Sequence, residues 1–159
     1  MGMLSTLVGA RLPKRYHRFF NLPDRAASTA IIDTTRTTLG SLAAEWLSVH
    51  NASNGVCRLD VGSQALGLRL KLIAMAESSI DIQSYLVRDD LSGNLVVMAL
   101  IRAADRGVRV RLLMDDALTQ PVDPGLLALN QHPRIEVRVF NPFPRHRSRF
   151  VSFIANFNL

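Results

Sequence analysis

The sequence predicts an α/β fold: an incomplete parallel-type sheet with flanking helices. Three short segments, residues 79–87, 108–114 and 134–140, alternate apolar and polar side chains, which is the period of a strand with one buried face. Segments with apolar residues at helical spacing precede and separate them. Right-handed crossovers through such helices place successive strands side by side and parallel.

The composition is that of a globular chain. Of the 159 residues, 48% are hydrophobic, which is enough for a core of ordinary domain size. Lys and Arg number 19 against 13 Asp and Glu, a formal net charge of +6 that favours contact with polyanions. No stretch approaches the roughly 20 apolar residues of a membrane span. The first basic cluster follows the apolar start, which is the wrong order for a secretory signal, so we expect a cytoplasmic protein or one peripheral at the inner membrane surface.

Residues 1–36 are predicted to be an irregular basic N-terminal arm, and residues 37–159 to be the N-terminal portion of one α/β domain. The aromatic side chains Tyr16, Phe19 and Phe20 lie beside basic residues in the arm. They would suit a membrane interface. An arm folded back over its own domain is the interpretation that we favour.

Four helices are predicted, over residues 38–50, 63–77, 94–106 and about 124–130. Thr37 or Thr38 can cap the first of them, and Gly107 suits the end of the third. The buried stripe of the third helix is expected to consist of Leu95, Met98 and Ile101 with Val96, Ala99 and Ala103.

A further short strand is predicted at residues 56–59, with Cys57 as a small half-buried residue. Cys57 is the single cysteine of the chain. An internal disulfide and a Cys-based zinc cluster are therefore excluded.

Charged residues occupy the off-core positions of all three predicted strands. They are Asp81, Arg109, Arg111, Glu136 and Arg138. Opposite charges on neighbouring strands can pair across a sheet, so we interpret most of these residues as an ion-paired face. An anion site made of Arg109 and Arg111 is the alternative.

An ordered series of segments resembles the first lobe of the phospholipase D superfamily. The series consists of residues 80–85, 89–93 and 103–116, and then residues 132–143, which read His-Pro-Arg-Ile-Glu-Val-Arg-Val-Phe-Asn-Pro-Phe. This last segment is similar to the bacterial cardiolipin synthase-like branch. The resemblance covers about residues 28–145. It implies a phospholipase D-like fold and phosphodiesterase or phosphatidyltransferase chemistry in phospholipid metabolism.

Members of that superfamily use two copies of the motif His-x-Lys-x-x-x-x-Asp. One histidine attacks phosphorus, the other protonates the leaving alcohol, and the lysine offsets charge on the phosphoryl oxygens. This chain contains no copy of the motif; its histidines are His17, His50, His132 and His146. The resemblance therefore supplies no catalytic residue. We expect a fragment truncated before its catalytic motif, inactive without the remaining part of the catalytic domain.

Four residues at or near the carboxyl ends of predicted strands are candidates for the rim of a substrate pocket. They are Gln83, Tyr85, Asp115 and Asp116. Sheets of this class place their sites at that edge, although a half-buried Tyr85 and aspartates that cap the following turn are ordinary alternatives. No cofactor or metal site is predicted, since the chain has no Gly-rich phosphate loop and no further carboxylates converge on the aspartate pair.

The segment after the third strand carries Arg145, Arg147 and Arg149 beside Phe150 and Phe153. These arginines are candidate anion contacts. One partner is an anionic phospholipid or membrane surface, as the resemblance implies. The alternative is a non-catalytic basic module that binds nucleic acid or an anionic membrane. Net charge alone does not separate the two.

Overall fold

The computed structural model describes residues 26–51, 53–85, 88–115 and 123–140. Its elements, in chain order, are α1 (Thr38–Val49), α2 (Gly62–Met75), β1 (Ser79–Ser84), α3 (Leu91–Asp105), β2 (Arg109–Asp115), α4 (Asp123–Gln131) and β3 (Ile135–Phe140). The strands form one parallel sheet in the order β1-β2-β3. The predicted fold class is confirmed, and the ends of the predicted elements shift by a few residues.

The core lies between one face of the sheet and the helices α2, α3 and α4. In β2 the buried residues Val110, Leu112 and Met114 alternate with half-buried ones, as the period of a strand requires. The other core residues are Ile73, Leu100, Ala103, Ala104, Val108, Leu129, Ile135 and Val137. Because both crossovers cover the same face, the opposite face of the sheet is left to polar side chains.

Polar residues fix where the helices begin. Thr37 caps α1 and Asp90 caps α3, each accepting a hydrogen bond from the backbone N–H three residues further on. After α3 the chain turns at Gly107, whose φ of +98° favours glycine and whose N–H donates to the carbonyl of Ala104.

Arg106 ties the end of α2 to α3. Its Nη2 donates to the carbonyls of Ile73 and Ala74, each at 3.1 Å, and these carbonyls belong to the last turn of α2. Such carbonyls have no partner within their own helix, and a guanidinium also suits the negative end of the helix dipole. The loop after α3 is thereby fixed against the start of β1.

The buried face of α3 matches the prediction in part, since Ala103 is buried and Val96, Ala99 and Ile101 pack against the core. Leu95 and Met98 were expected inside but are 42% and 48% exposed, whereas Leu100 and Ala104, which the prediction omitted, are buried beside Ala103. All residues from 95 to 104 except Arg102 are apolar, so more than one stripe at helical spacing fits the sequence. Contacts with the sheet, which the pattern does not contain, select the stripe.

The predicted strand at residues 56–59 is absent, because residues 53–60 have no regular secondary structure. Cys57 is exposed, which corrects the prediction of a half-buried residue. Helix α1 occurs as predicted, yet it buries none of its residues among the described parts of the chain. None of the helices described is both long and apolar enough to cross a bilayer.

Candidate functional site

The face of the sheet that points away from α2, α3 and α4 is polar, and we call it the polar face. Its central row is Asp81, Arg111 and Glu136, and the next row toward the carboxyl ends of the strands is Gln83, Leu113 and Arg138. In a strand, residues two positions apart share a face, so Arg109 lies there as well. All five predicted off-core charges therefore share this one face.

Arg111 is the centre of the charged row. Its Nε and Nη2 donate to the two carboxylate oxygens of Asp81 at 2.6 and 2.5 Å, and its Nη1 donates to the carbonyl of Ser28 at 2.7 Å. The hydrogen bonds from Arg111 hold the pKa of Asp81 below its ordinary value, although partial burial opposes this effect. Because Arg111 is engaged on all three nitrogens, the interpretation as an ion pair is confirmed for it.

A second ion pair runs along β3. The Nε and Nη2 of Arg138 lie 2.6 and 2.5 Å from Oε1 of Glu136, and both side chains are mostly buried. Because Glu136 and Arg138 are two positions apart in a strand, their side chains both lie on the polar face. The charges of this face are therefore largely balanced against one another.

Arg109 differs from the other two arginines of this face. Its Nη2 donates to the carbonyl of Thr29 at 2.9 Å, while its Nε is buried and has no hydrogen-bond partner among the described residues. The alternative prediction, an anion site made of Arg109 and Arg111, is not assembled. The carboxylate of Asp81 already accepts hydrogen bonds from two nitrogens of the Arg111 guanidinium.

Residues 26–34 lie across the polar face, and we call this segment the strap. Its Ser28 carbonyl meets Arg111 and its Thr29 carbonyl meets Arg109, so the strap runs opposite in direction to β2. These contacts concern only the end of the predicted N-terminal arm, and its aromatic residues Tyr16, Phe19 and Phe20 lie outside the described residues. The sequence pattern of the strap did not reveal which strand it would cross.

Glu77 holds the start of α1, which follows the strap in the chain. Its carboxylate accepts hydrogen bonds from the backbone N–H of Thr38 at 3.1 Å and from the Thr38 hydroxyl at 2.6 Å. These bonds lower the pKa of Glu77. Glu77 lies two residues before β1, so the first residue of α1 is held near the amino end of that strand.

A small cavity of about 160 Å³ lies between the strap and the sheet. It is lined by Ser28, Gln83 and both ion pairs. Two carboxylates and two guanidinium groups line it, and they are already paired. The cavity therefore has no net charge with which to select an anion.

Three of the four predicted rim residues lie where expected, at the carboxyl edge of the sheet. Gln83 is exposed near the end of β1, Tyr85 follows that strand, and Asp115 ends β2 opposite Phe140 of β3. Tyr85 is 64% exposed, which corrects the alternative of a half-buried ring. Asp116 and the predicted anion contacts Arg145, Arg147 and Arg149 lie outside the described residues.

His132 has a structural role before β3, as its position in a loop suggests. Its Nε2 lies 3.2 Å from a carboxylate oxygen of Asp105, and its Nδ1 accepts the backbone N–H of Arg134. Within the described ranges, no group of three or more His, Cys, Asp or Glu side chains could hold a metal ion. The described side chains thus offer hydrogen bonds and paired charges at this site, and no assembled nucleophile.

The chain is similar to bacterial cardiolipin synthases. It is 43% identical over 120 residues to cardiolipin synthase C of Escherichia coli strain K12. The aligned region covers 76% of this chain and 25% of that protein. A cardiolipin synthase of Oceanobacillus iheyensis is 30% identical over 112 residues, 70% of this chain and 22% of its own length. An uncharacterized protein of Helicobacter pylori strain J99 is 40% identical over 111 residues, which are 70% of this chain and 22% of that protein.

The chain spans about a quarter of the length of these relatives. No solved structure matches it significantly. A family model described as cardiolipin synthase, PLD-like domain, matches residues 70–151. This match begins in the second half of α2, includes the whole three-stranded sheet, and covers more than half of the chain. The chain therefore belongs to the cardiolipin synthase family of phospholipase D-like domains.

Proposed function

We propose that these 159 residues form part of the scaffold of a phospholipase D-like phosphatidyltransferase lobe and transfer no phosphoryl group by themselves. One observation carries the proposal. The family match falls on the sheet and its helices, while the sequence contains no His-x-Lys-x-x-x-x-Asp. Without the histidines and lysines of that motif, the chain lacks the nucleophile, the proton donor and the counter-charge for the phosphoryl oxygens that the family uses.

The rim residues at the carboxyl edge would then position a substrate. The amide of Gln83 and the hydroxyl of Tyr85 can donate hydrogen bonds to phosphoryl or glycerol oxygens. Both side chains are exposed, and they lie at or just after the carboxyl end of β1. Sheets of this class bind ligands at that edge. The substrate class is a phospholipid, because two relatives are named cardiolipin synthases.

Lipid chemistry also supports a place at a membrane surface. A phosphatidyl donor resides in a bilayer, so the lobe works where its carboxyl edge can reach the headgroups. The partner that completes the site is the remaining part of a catalytic domain, since the aligned region makes up only about a quarter of each relative.

A chimera tests the proposal. The matching quarter of the Escherichia coli relative is replaced by residues 28–145 of this chain, and formation of cardiolipin from a phosphatidyl donor is measured. We expect the chimera to be active and the 159-residue chain alone to be inactive. Turnover by the purified chain would refute the proposal. So would an inactive chimera that folds as stably as its parent.

The rim assignment is tested in the same chimera. Tyr85→Phe removes one hydroxyl, and we expect it to raise KM for the lipid donor while the melting temperature stays unchanged. Ser48→Ala is the matched control, because it removes an exposed hydroxyl on α1 that bonds only to the backbone of its own helix. Equal kinetics for both variants would show that Tyr85 has no part in binding.

A further inference from the structure

Two of the three arginines on the polar face bind a carboxylate through the same edge of the guanidinium group, the edge formed by Nε and Nη2. In Arg111 this edge donates to both carboxylate oxygens of Asp81. In Arg138 the same two nitrogens lie against one carboxylate oxygen of Glu136. Such an edge carries two parallel donors, and it matches two oxygens of an oxyanion.

The corresponding edge of Arg109 is only half filled. Its Nη2 donates to the backbone carbonyl of Thr29 at 2.9 Å, while its buried Nε has no hydrogen-bond partner among the described residues. A neutral carbonyl therefore stands where Arg111 and Arg138 each face a carboxylate. A buried donor on a charged group is costly to leave without a partner, so this edge is unsatisfied as long as the strap covers it.

The charges of the polar face single out the same residue. Of the five off-core charges, four form two ion pairs, Asp81 with Arg111 and Glu136 with Arg138. Arg109 is the fifth, and it forms no ion pair with any residue that the structure describes. Three guanidinium groups against two carboxylates leave this set with a charge of +1, which is located at Arg109.

The strap that covers this edge is weakly anchored. Among residues 26–34 only Ser28 is half-buried, and all the others are exposed, including both isoleucines of the segment. Because the strap buries no apolar side chain, hydrogen bonds from Arg109 and Arg111 to its carbonyls hold it on β2. Segments with few buried apolar contacts open at low cost, and a guanidinium binds an oxyanion more strongly than a neutral carbonyl.

We propose that Arg109 binds a tetrahedral oxyanion of the phosphate type through its Nε and Nη2, and that the strap is a removable cover of this site. Ser28 and Thr29 are consecutive, so their carbonyls leave Arg111 and Arg109 together when the strap lifts. Two oxygens of the anion then fill the edge of Arg109, and a third accepts a hydrogen bond from Nη1 of Arg111. The ion pair of Arg111 with Asp81 stays intact, since it uses the other nitrogens of that guanidinium.

The strap and the oxyanion compete for the same donors, so each weakens the binding of the other by the same factor. A change that favours the open strap raises the apparent affinity for the anion in proportion to the open population. The presence of a phosphate group is thereby converted into a movement of the segment before α1. The site involves neither Gln83 nor Tyr85, so it and the proposed function can fail independently.

Phosphate titration of the full chain at constant ionic strength, followed through the Nε–H resonance of Arg109 by NMR, tests the site. The phosphate group can be free or part of an ester, so inorganic phosphate and glycerol phosphate are both used. Saturable binding of either supports the site, and the tighter of the two identifies the source. Acetate has only two oxygens and should bind at least about tenfold more weakly, because one donor stays unpaired.

Arg109→Gln should lower the phosphate affinity by at least about tenfold, because it removes the charged edge. Arg102→Gln is the matched control for charge. It removes an exposed cation of α3 and should change the affinity by less than about twofold at physiological salt.

A pair of glycines tests the competition with the strap. Ser28→Gly with Thr29→Gly keeps both carbonyls but gives the open strap more conformational freedom. We expect the phosphate affinity to rise about four- to twentyfold. Asn54→Gly with Val56→Gly, in the exposed segment 53–60, is the matched control and should leave the affinity unchanged.

A spin label shows whether the strap lifts. In a Cys57→Ser background, which removes the single cysteine, a nitroxide is attached after Ala30→Cys in the strap. We expect the label to gain mobility as phosphate is added, with the same midpoint as the NMR titration.

Four results would overturn the inference. They are the absence of saturable phosphate binding, equal affinity for acetate, a label whose mobility is unchanged at saturating phosphate, and an affinity that Arg109→Gln leaves intact. If Arg109→Gln does not fold, the glycine pair decides, since an affinity equal to that of the wild type excludes competition with the strap.

Discussion

The ion pair between Asp81 and Arg111 gives the sharpest test of how the polar face is held together. Asp81→Ala removes a carboxylate that accepts two hydrogen bonds from one guanidinium. Fully exposed pairs contribute about 0.2–1 kcal/mol, whereas breaking a buried pair costs about 3–5 kcal/mol. The two side chains are 37% and 23% exposed, so an intermediate value applies. Since Arg111 keeps its bond to Ser28, we expect a loss of about 1–2 kcal/mol in the free energy of unfolding.

The chain contains a matched control for this measurement. Arg58 and Asp60 are also 2.6 Å apart, but their side chains are 86% and 63% exposed. Asp60→Ala should therefore cost no more than about 0.5 kcal/mol. Urea unfolding followed by circular dichroism measures both variants, and a double-mutant cycle with Arg111→Ala isolates the pair. Equal losses for Asp81→Ala and Asp60→Ala would refute the reasoning.

The same pair predicts a dependence on pH. The pKa of Asp81 is lower in the folded protein than in the unfolded chain, where it is about 3.9. Its contribution is therefore complete above that value and is lost as the pH falls through the lower pKa of the folded state. The difference in stability between the wild type and Asp81→Asn should be constant from neutral pH to about pH 5 and should shrink below about pH 4. A difference that grows on acidification would contradict the sign.

Three further predictions concern the helices. Glu77→Gln weakens the hold on Thr38, so amide hydrogen exchange in the first turn of α1 should accelerate, whereas Glu45→Gln on the exposed side of α1 should leave it unchanged. Leu100→Ala empties a buried site between α3 and the sheet and should cost about 2–5 kcal/mol in urea unfolding; a loss below about 1 kcal/mol would contradict the assigned core. Gly107→Ala forces a Cβ onto a residue with φ of +98° and should cost about 1–2 kcal/mol, although no atom lies near enough to clash, and an unchanged midpoint would contradict the strain.

The strands were predictable because successive side chains of a strand point to opposite faces of the sheet. A strand with one buried face therefore alternates apolar and polar residues in the sequence. In β2, Val110, Leu112 and Met114 alternate with Arg109 and Arg111, so the period alone gives the strand, its core side and its charged side. The pairing of Asp81 with Arg111 followed from the same pattern once β1 and β2 were taken as parallel neighbours, whereas Glu136 pairs with Arg138 of its own strand.

The parts that were not predictable depend on contacts between distant segments. The apolar residues of α3 fit several stripes, and contact with the sheet buries Leu100 while leaving Met98 exposed. Four alternating residues at 56–59 are too few to distinguish a strand from an extended segment without a neighbouring strand to pair with. The crossing of the strap depends on its carbonyls at Ser28 and Thr29, and every residue type carries a carbonyl.

The same distinction, between what the sequence pattern predicts and what depends on distant contacts, applies to the candidate site. Gln83, Tyr85 and Asp115 were predictable, because parallel strands end at a common edge and the sequence shows where each strand ends. The contacts of Ser28 and Thr29 with Arg111 and Arg109 were not, since they join backbone carbonyls to side chains about 80 residues away in the sequence.

The rate of cardiolipin formation by the chimera with the Escherichia coli relative tests the account most directly. If the strap, the sheet and its carboxyl edge are the scaffold of a phosphatidyltransferase lobe, the chimera should retain kcat/KM to within about tenfold of its parent, or about 1.4 kcal/mol in transition-state free energy. A chimera that matches its parent in thermal stability but forms no cardiolipin would contradict it.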